Sequence, residues 1–182
     1  MKLPKWDILK ANFPAKPAGE VFQAIGGKVL YNYQIGVFSN ACSSRISAAL
    51  NASGKEYEIP FFKEEWPKGK VQAQVSSGAD GKWYIFRVKM LVKHLTTRYG
   101  KPEEYLPEEH LQKIAGRKGI IVFEVKGWAD ATGHADLWDG TACLWHGYDE
   151  VANKVLFWEA EADKAEQTQT AAQAAVPQGS AQ

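Results

Sequence analysis

Cysteine is scarce in this chain: of 182 residues only Cys42 and Cys143 carry a thiol. Two distant cysteines build no disulfide framework, and neither lies in a CxxC pair or a Cys/His cluster with zinc spacing, so the sequence calls for no structural metal and no cofactor. One Cys42–Cys143 disulfide is the single pairing the composition allows, and only in an oxidising compartment. Charge of one sign is also missing. Lysine and arginine number 22 against 21 aspartate and glutamate, a net +1. No basic field is available to hold a nucleic acid or an anionic membrane. Nor is there an apolar run near the ~20 residues that span a bilayer. The opening "MKLPKWDILKANFPAKP" breaks with charge and proline where an export signal needs an apolar centre, so no Sec-type signal and no membrane insertion are expected.

What is present is a well-stocked core. Apolar residues make up 45% of the chain, enough for one domain, expected over residues 1–159. From Ala160 onward, "AEADKAEQTQTAAQAAVPQGSAQ" is nearly free of large apolar side chains and reads as a tail over 160–182, disordered or transiently helical. Helical spacing is clearest from about Ala41 to Asn51, through "WYIFRVKMLVKHLTTRYG" with Tyr84, Val88, Leu91, Val92 and Leu95 on one face, and in "LPEEHLQKIAG". In the last of these Pro107 suits a first turn and the glutamates suit the positive end of the helix. "GIIVFEVKGW", "GHADLWDG" and "NKVLFWEA" read as strands of an antiparallel meander, with Asp139-Gly140 as a two-residue hairpin turn. Residues 51–81 have weak periodicity and are expected to form a long loop near the site. Helices first and antiparallel strands later point to an α+β fold with helices on one side of a small sheet.

The chemistry centres on Cys42. Ser39 and Asn40 are good helix caps and helical spacing follows, so Cys42 falls in a first turn, where unpaired N–H groups and the dipole stabilise a thiolate and cradle an oxyanion. A lone cysteine is more often core filler, but "NACSS" is a polar setting that suits a nucleophile better. A thiolate needs a proton acceptor. His94, within an amphipathic helix, and His110, in a charged stretch, are most simply solvated. His134 heads a short strand from which it reaches a helix lying on the sheet, and Cys on a helix N-terminus with His on an adjacent strand is the arrangement of papain-like hydrolases.

"GIIVFEVKGWADATGHADLWDG" with "NACSSRISAALN" about ninety residues earlier resembles the fourth class of type VI secretion amidase effectors, papain-like cysteine peptidases related to the NlpC-type cell-wall endopeptidases. The resemblance covers most of Ser39 to Trp158. It implies a cysteine amidase that cuts the peptidoglycan stem peptide between D-glutamate and meso-diaminopimelate in a rival's periplasm, after injection by a carrier component of the secretion machine. It also implies an immunity protein in the producing cell.

The residue that orients His134 is open among Asp136, His146 and Asp149. The family resemblance places an acidic residue after the hairpin, where this chain has Trp145. With the simplest hairpin, Trp138 pairs with Thr141, Asp136 faces Cys143 and His134 faces Trp145. Residues i and i+2 share a strand face, so Asp136 lies on the His134 face while His146 lies opposite unless a bulge intervenes. Asp136 ranks first, His146 second and Asp149 a distant third. Two other functions compete: a non-catalytic module binding cell-wall peptide or glycan through its seven tryptophans, and a thiol acyltransferase using the same pair. Core packing explains most of the tryptophans.

Overall fold

In the computed structural model the structure describes residues 1–65, 68–126 and 133–163. Three helices precede the cysteine: α1 (Trp6–Ala11), α2 (Ala18–Ile25) and α3 (Gly27–Gln34). None stands out in the sequence, because all three are short of three turns and two have narrow apolar stripes: α3 buries only Val29 and α1 only Trp6 and Leu9. Then come α4 (Cys42–Ala52), the short strands β1 (Lys63–Glu65), β2 (Val71–Ala73), β3 (Val75–Ser77) and β4 (Trp83–Ile85), and α5 (Val88–Tyr99). The chain continues with β5 (Glu103–Tyr105), α6 (Pro107–Lys113), β6 (Gly119–Glu124), β7 (Gly133–Trp138) and β8 (Lys154–Glu159). The α+β class is as expected; Trp128 and most of the tail lie outside the described residues.

Residues 51–81 are not a bare loop: β1 pairs with β2, and β3 pairs with β4. Tyr84, expected on a helical face, is in β4, and the helix begins only after Arg87. The cause is non-local. Ser47 of α4 accepts the Ile85 N–H (3.0 Å), and Asn51 donates its side-chain amide to the Trp83 carbonyl (2.8 Å). Polar side chains of α4 thereby capture an extended backbone beside it, which a buried helix must do with its polar groups in any case.

The main sheet runs β5-β8-β6-β7, all neighbours antiparallel. It is not a meander, since β6 separates β7 from β8. Every residue of β6 before Glu124 is buried, as a central strand covered on both faces should be. On one face Ile120, Val122, Ala135, Leu137, Leu156 and Trp158 pack with α4 and α5. On the other, Ile121, Phe123, Trp138, Val155 and Phe157 pack with Ile114 after α6 and with Tyr148 in the segment before β8. Both faces are therefore covered, against the expectation of one.

The turn after β7 takes four residues instead of two. Asp139 N–H donates to the Ala142 carbonyl (3.0 Å), and the Asp139 carboxylate collects the Thr141 N–H, the Thr141 hydroxyl and the Ala142 N–H. Trp138 consequently sits opposite Cys143, and Leu144 N–H donates to the Leu137 carbonyl (2.9 Å). The register moves by two, which preserves faces but brings Trp145, not Cys143, across from Asp136. At the other end, Gly133 has φ +153, and a Cβ there would lie 2.1 Å from the Phe123 carbonyl oxygen. Only glycine brings β7 that close to β6 just before His134.

Candidate active site

Cys42 opens α4 and is 2% exposed. The cap position itself is Ala41, which makes no side-chain bond, so neither Ser39 nor Asn40 is the cap expected from the sequence; Asn40, one residue earlier, instead accepts the Cys42 backbone N–H on its Oδ1 at 2.9 Å. The serines after Cys42 have a structural role: Ser44 donates to the Ile85 carbonyl and Ser47 to the Ser43 carbonyl. The polar flank that hinted at a nucleophile is thus largely the means by which a buried helix holds β4. Both cysteines are free thiols. Burial and the surrounding aspartate charges push the Cys143 thiol far up, which makes it a poor nucleophile.

Strand β7 is the sheet edge beside α4, and it brings His134, Ala135 and Asp136 to Cys42. Burial raises the Cys42 thiol, but the His134 imidazole together with the Ala135 N–H and Ser43 outweighs it and holds the thiol below its ordinary range. His134 responds in the opposite sense. Burial disfavours its cation, yet contact with the Asp136 carboxylate and then with Cys42 raises it from 6.5 to about 9. Both shifts run toward a thiolate paired with an imidazolium. His134 Nε2 lies 3.6 Å from Asp136 Oδ2, an ion-pair contact longer than a formed hydrogen bond. Resting catalytic contacts are often this long and tighten with substrate.

Asp136 is fully buried, and the backbone satisfies its charge: Leu137 N–H donates at 2.7 Å, Trp145 N–H at 3.2 Å and His146 N–H at 2.8 Å. Carboxylates are seldom buried so completely without several such donors. The structure thus brings Cys42, His134 and Asp136 together and gives the other two candidates different partners. His146 is exposed; it offers Asp136 its backbone amide, while its ring lies against Tyr148 at 4.7 Å. Asp149 contacts His110 Nε2 at 2.7 Å.

Two histidines expected to be solvated are not. His110 is fully buried, with Nδ1 2.6 Å from the Pro107 carbonyl and its ring edge on Phe123 and Trp138. His94 sits between the rings of Phe62 and Tyr99, and burial pushes it down to about 4. Charge patterning on their own elements did not reveal what other elements lay over them. Sequence reasoning also missed Tyr148, whose ring is 4.5 Å from that of His134, and Arg45, whose guanidinium is 4.6 Å over the Trp145 ring. Arg45 did carry a signal: a lone basic residue in the first turn of a helix, where cations are disfavoured.

The type VI secretion system amidase effector protein 4 family (Tae4) matches residues 38–158, two thirds of the chain and both elements that carry the site. The chain belongs to this family. Solved structures agree. The effector of Salmonella Typhimurium in complex with its immunity protein Tai4 is 32% identical, with a TM-score of 0.72 over 87% of this chain and 99% of that one. The corresponding Enterobacter cloacae complex is 30% identical, with a TM-score of 0.71 over 87% and 99%. The Enterobacter cloacae effector alone is 30% identical, with a TM-score of 0.73 over 88% and 100%. Among curated protein sequences nothing matches. This Tae4 protein is therefore an antibacterial amidase effector of the type VI secretion system that acts on the peptidoglycan of a target cell. The papain-like α+β fold agrees with that membership. Among the described residues no helix is long and apolar enough to cross a membrane.

Proposed function

We propose that this Tae4 protein is a cysteine amidase that hydrolyses the bond between D-glutamate and meso-diaminopimelate in the peptidoglycan stem, with Cys42 as nucleophile, His134 as acid and base, and Asp136 as the orienting residue. The observation that carries the reading is the buried row Cys42–His134–Asp136, in which a thiol held low faces a histidine held high against a fully satisfied carboxylate. The thiolate attacks the amide carbonyl carbon and forms a tetrahedral oxyanion. His134 then gives its proton to the departing amine, and a thioester remains on Cys42. Water enters, His134 takes one of its protons, and the resulting hydroxide opens the thioester to release the carboxylate and the thiolate. The N–H of Cys42 becomes a donor to the oxyanion once the exposed Asn40 side chain turns off it.

Two of these relatives were solved bound to immunity proteins, and a cognate immunity protein in the producing cell fits this chain too. A carrier component of the secretion machine delivers the effector to the target periplasm. The deciding experiment incubates purified protein with peptidoglycan fragments and reads the products by mass spectrometry. Free D-glutamyl carboxylate and a new diaminopimelate amine are expected, and Cys42→Ala is expected to yield neither. Turnover retained by Cys42→Ala sinks the cysteine mechanism, a different product mass sinks the bond assignment, and a transferred acyl group in place of water moves the enzyme to acyl transfer.

A further inference from the structure

Arg45 is 4% exposed and sits in the first turn of α4, one turn from Cys42. That position is doubly unfavourable for a cation: burial strips its hydration, and the helix N-terminus repels it. Buried arginines are ordinarily offset by a carboxylate. Among the described residues none lies within ion-pair distance of Arg45. One guanidinium nitrogen donates to the Lys16 carbonyl at 2.7 Å, the plane lies under the Trp145 ring at 4.6 Å, and Nε has no hydrogen-bond partner. A cation kept at such cost on the rim of a site needs anions close by, and the site contains two.

Counting charges supplies the reason. Cys42 as thiolate and Asp136 are two buried negative groups, and the His134 imidazolium is one positive group. Without a fourth member the cluster would carry a net negative charge in a dry setting. Arg45 makes it neutral. The groups that face it agree: burial disfavours its cation, while the opposite charges of Cys42 and Asp136 favour it. The charged neighbours of Cys42 itself are His134 on β7 and Arg45 on its own helix, while Asp136 at 3.6 Å and the Tyr148 ring at 4.5 Å lie against His134.

The geometry points to Arg45 as a positioning residue of the catalytic centre: clamped between the Lys16 carbonyl and the Trp145 ring, its guanidinium keeps Cys42 ionised beside His134. Trp145 has two roles in this arrangement. Its backbone N–H holds Asp136, and its ring covers the guanidinium, so that the charge acts on the sulfur through little water. The inference rests on the cysteine mechanism proposed above.

The test is the pH dependence of Cys42 alkylation by iodoacetamide, with the modified residue located by mass spectrometry, alongside kcat and KM. Arg45→Met removes the charge at similar volume and is expected to raise the alkylation midpoint by about one pH unit, leaving about tenfold less thiolate below it. kcat/KM should fall in step with KM nearly unchanged. Arg45→Lys retains the charge and should stay within about threefold of the wild type. Trp145→Leu, at a residue 40% exposed, keeps the backbone N–H, wets the guanidinium and should move the midpoint the same way by less. A folded Arg45→Met protein with the wild-type midpoint overturns the inference. If Arg45→Met does not fold, an unshifted midpoint in Trp145→Leu overturns it instead. A wild-type Cys42 that resists alkylation from acid to alkaline pH overturns the cysteine reading itself, which is a different outcome.

Discussion

Asp136→Asn tests the least obvious member of the site. The substitution keeps the size of the side chain and lets one oxygen go on accepting the Leu137 N–H. The other position becomes an NH2 group that faces the N–H groups of Trp145 and His146, donor against donor. His134 at about 9 against its ordinary 6.5 amounts to roughly 3 kcal/mol of preference for the imidazolium at 1.36 kcal/mol per pH unit. Asp136 leads the groups that raise it, so a large share of that preference, on the order of 1–2 kcal/mol, is lost with the carboxylate. Turning away the 145–146 backbone and losing the correct tautomer add about 1–3 kcal/mol. Together these slow turnover by roughly 10² to 10³-fold, below the ~10⁴ of the serine triad. The assay is kcat at saturating stem peptide, with His146→Ala as the contrast. Because His146 contributes only its backbone, His146→Ala should lose less than about fivefold. A severe His146→Ala with a nearly silent Asp136→Asn would reverse the assignment, and two mild results would reject both residues.

Three further outcomes can be measured. The pH profile of kcat/KM should be a bell: activity rises as pH climbs through the depressed Cys42 value and falls as His134 loses its proton near 9. The linked stability has the matching signs. The His134 contribution is full below 6.5 and gone above about 9, whereas that of Cys42 fades as pH falls through its folded value. Thermal melts across pH check both limbs, and a flat profile from 6 to 10 contradicts the ion pair. A chain ending at Asp163 should melt like the full chain. Ending at Glu159 instead removes the backbone bonds Ala160 to Lys118, Glu161 to Pro4 and Trp6 to Glu161, for a loss of roughly 2–4 kcal/mol. Equal melting temperatures for the two truncations would show that these contacts contribute nothing.

Local patterns in the sequence carried the elements that position the nucleophile and the base. The helix start at Cys42 is a matter of spacing behind the polar Ser39-Asn40 pair, β6 and β8 are runs of β-branched and aromatic residues whose preference is nearly local, and β7 shows itself by its alternation of apolar and polar residues before the Asp139-Gly140 turn. That Asp136 shares a face with His134 follows from the period of two, and it survived an error in the turn because a shift of two residues preserves parity. The family resemblance lay in the same stretch. Other features were settled only when separate elements met. The strand order with β6 between β7 and β8, the strand at Tyr84 drawn out by Ser47 and Asn51, and the burial of His110 under Asp149 each depend on a neighbour far along the chain. The same holds for the third site residue. Sequence could rank Asp136 by face, but only the four-residue turn puts Trp145 and His146 N–H groups on its carboxylate and makes a buried charge there affordable. Local preference acts through bonds a few residues long, whereas desolvation and charge balance depend on everything that closes over a group, and that is decided in three dimensions.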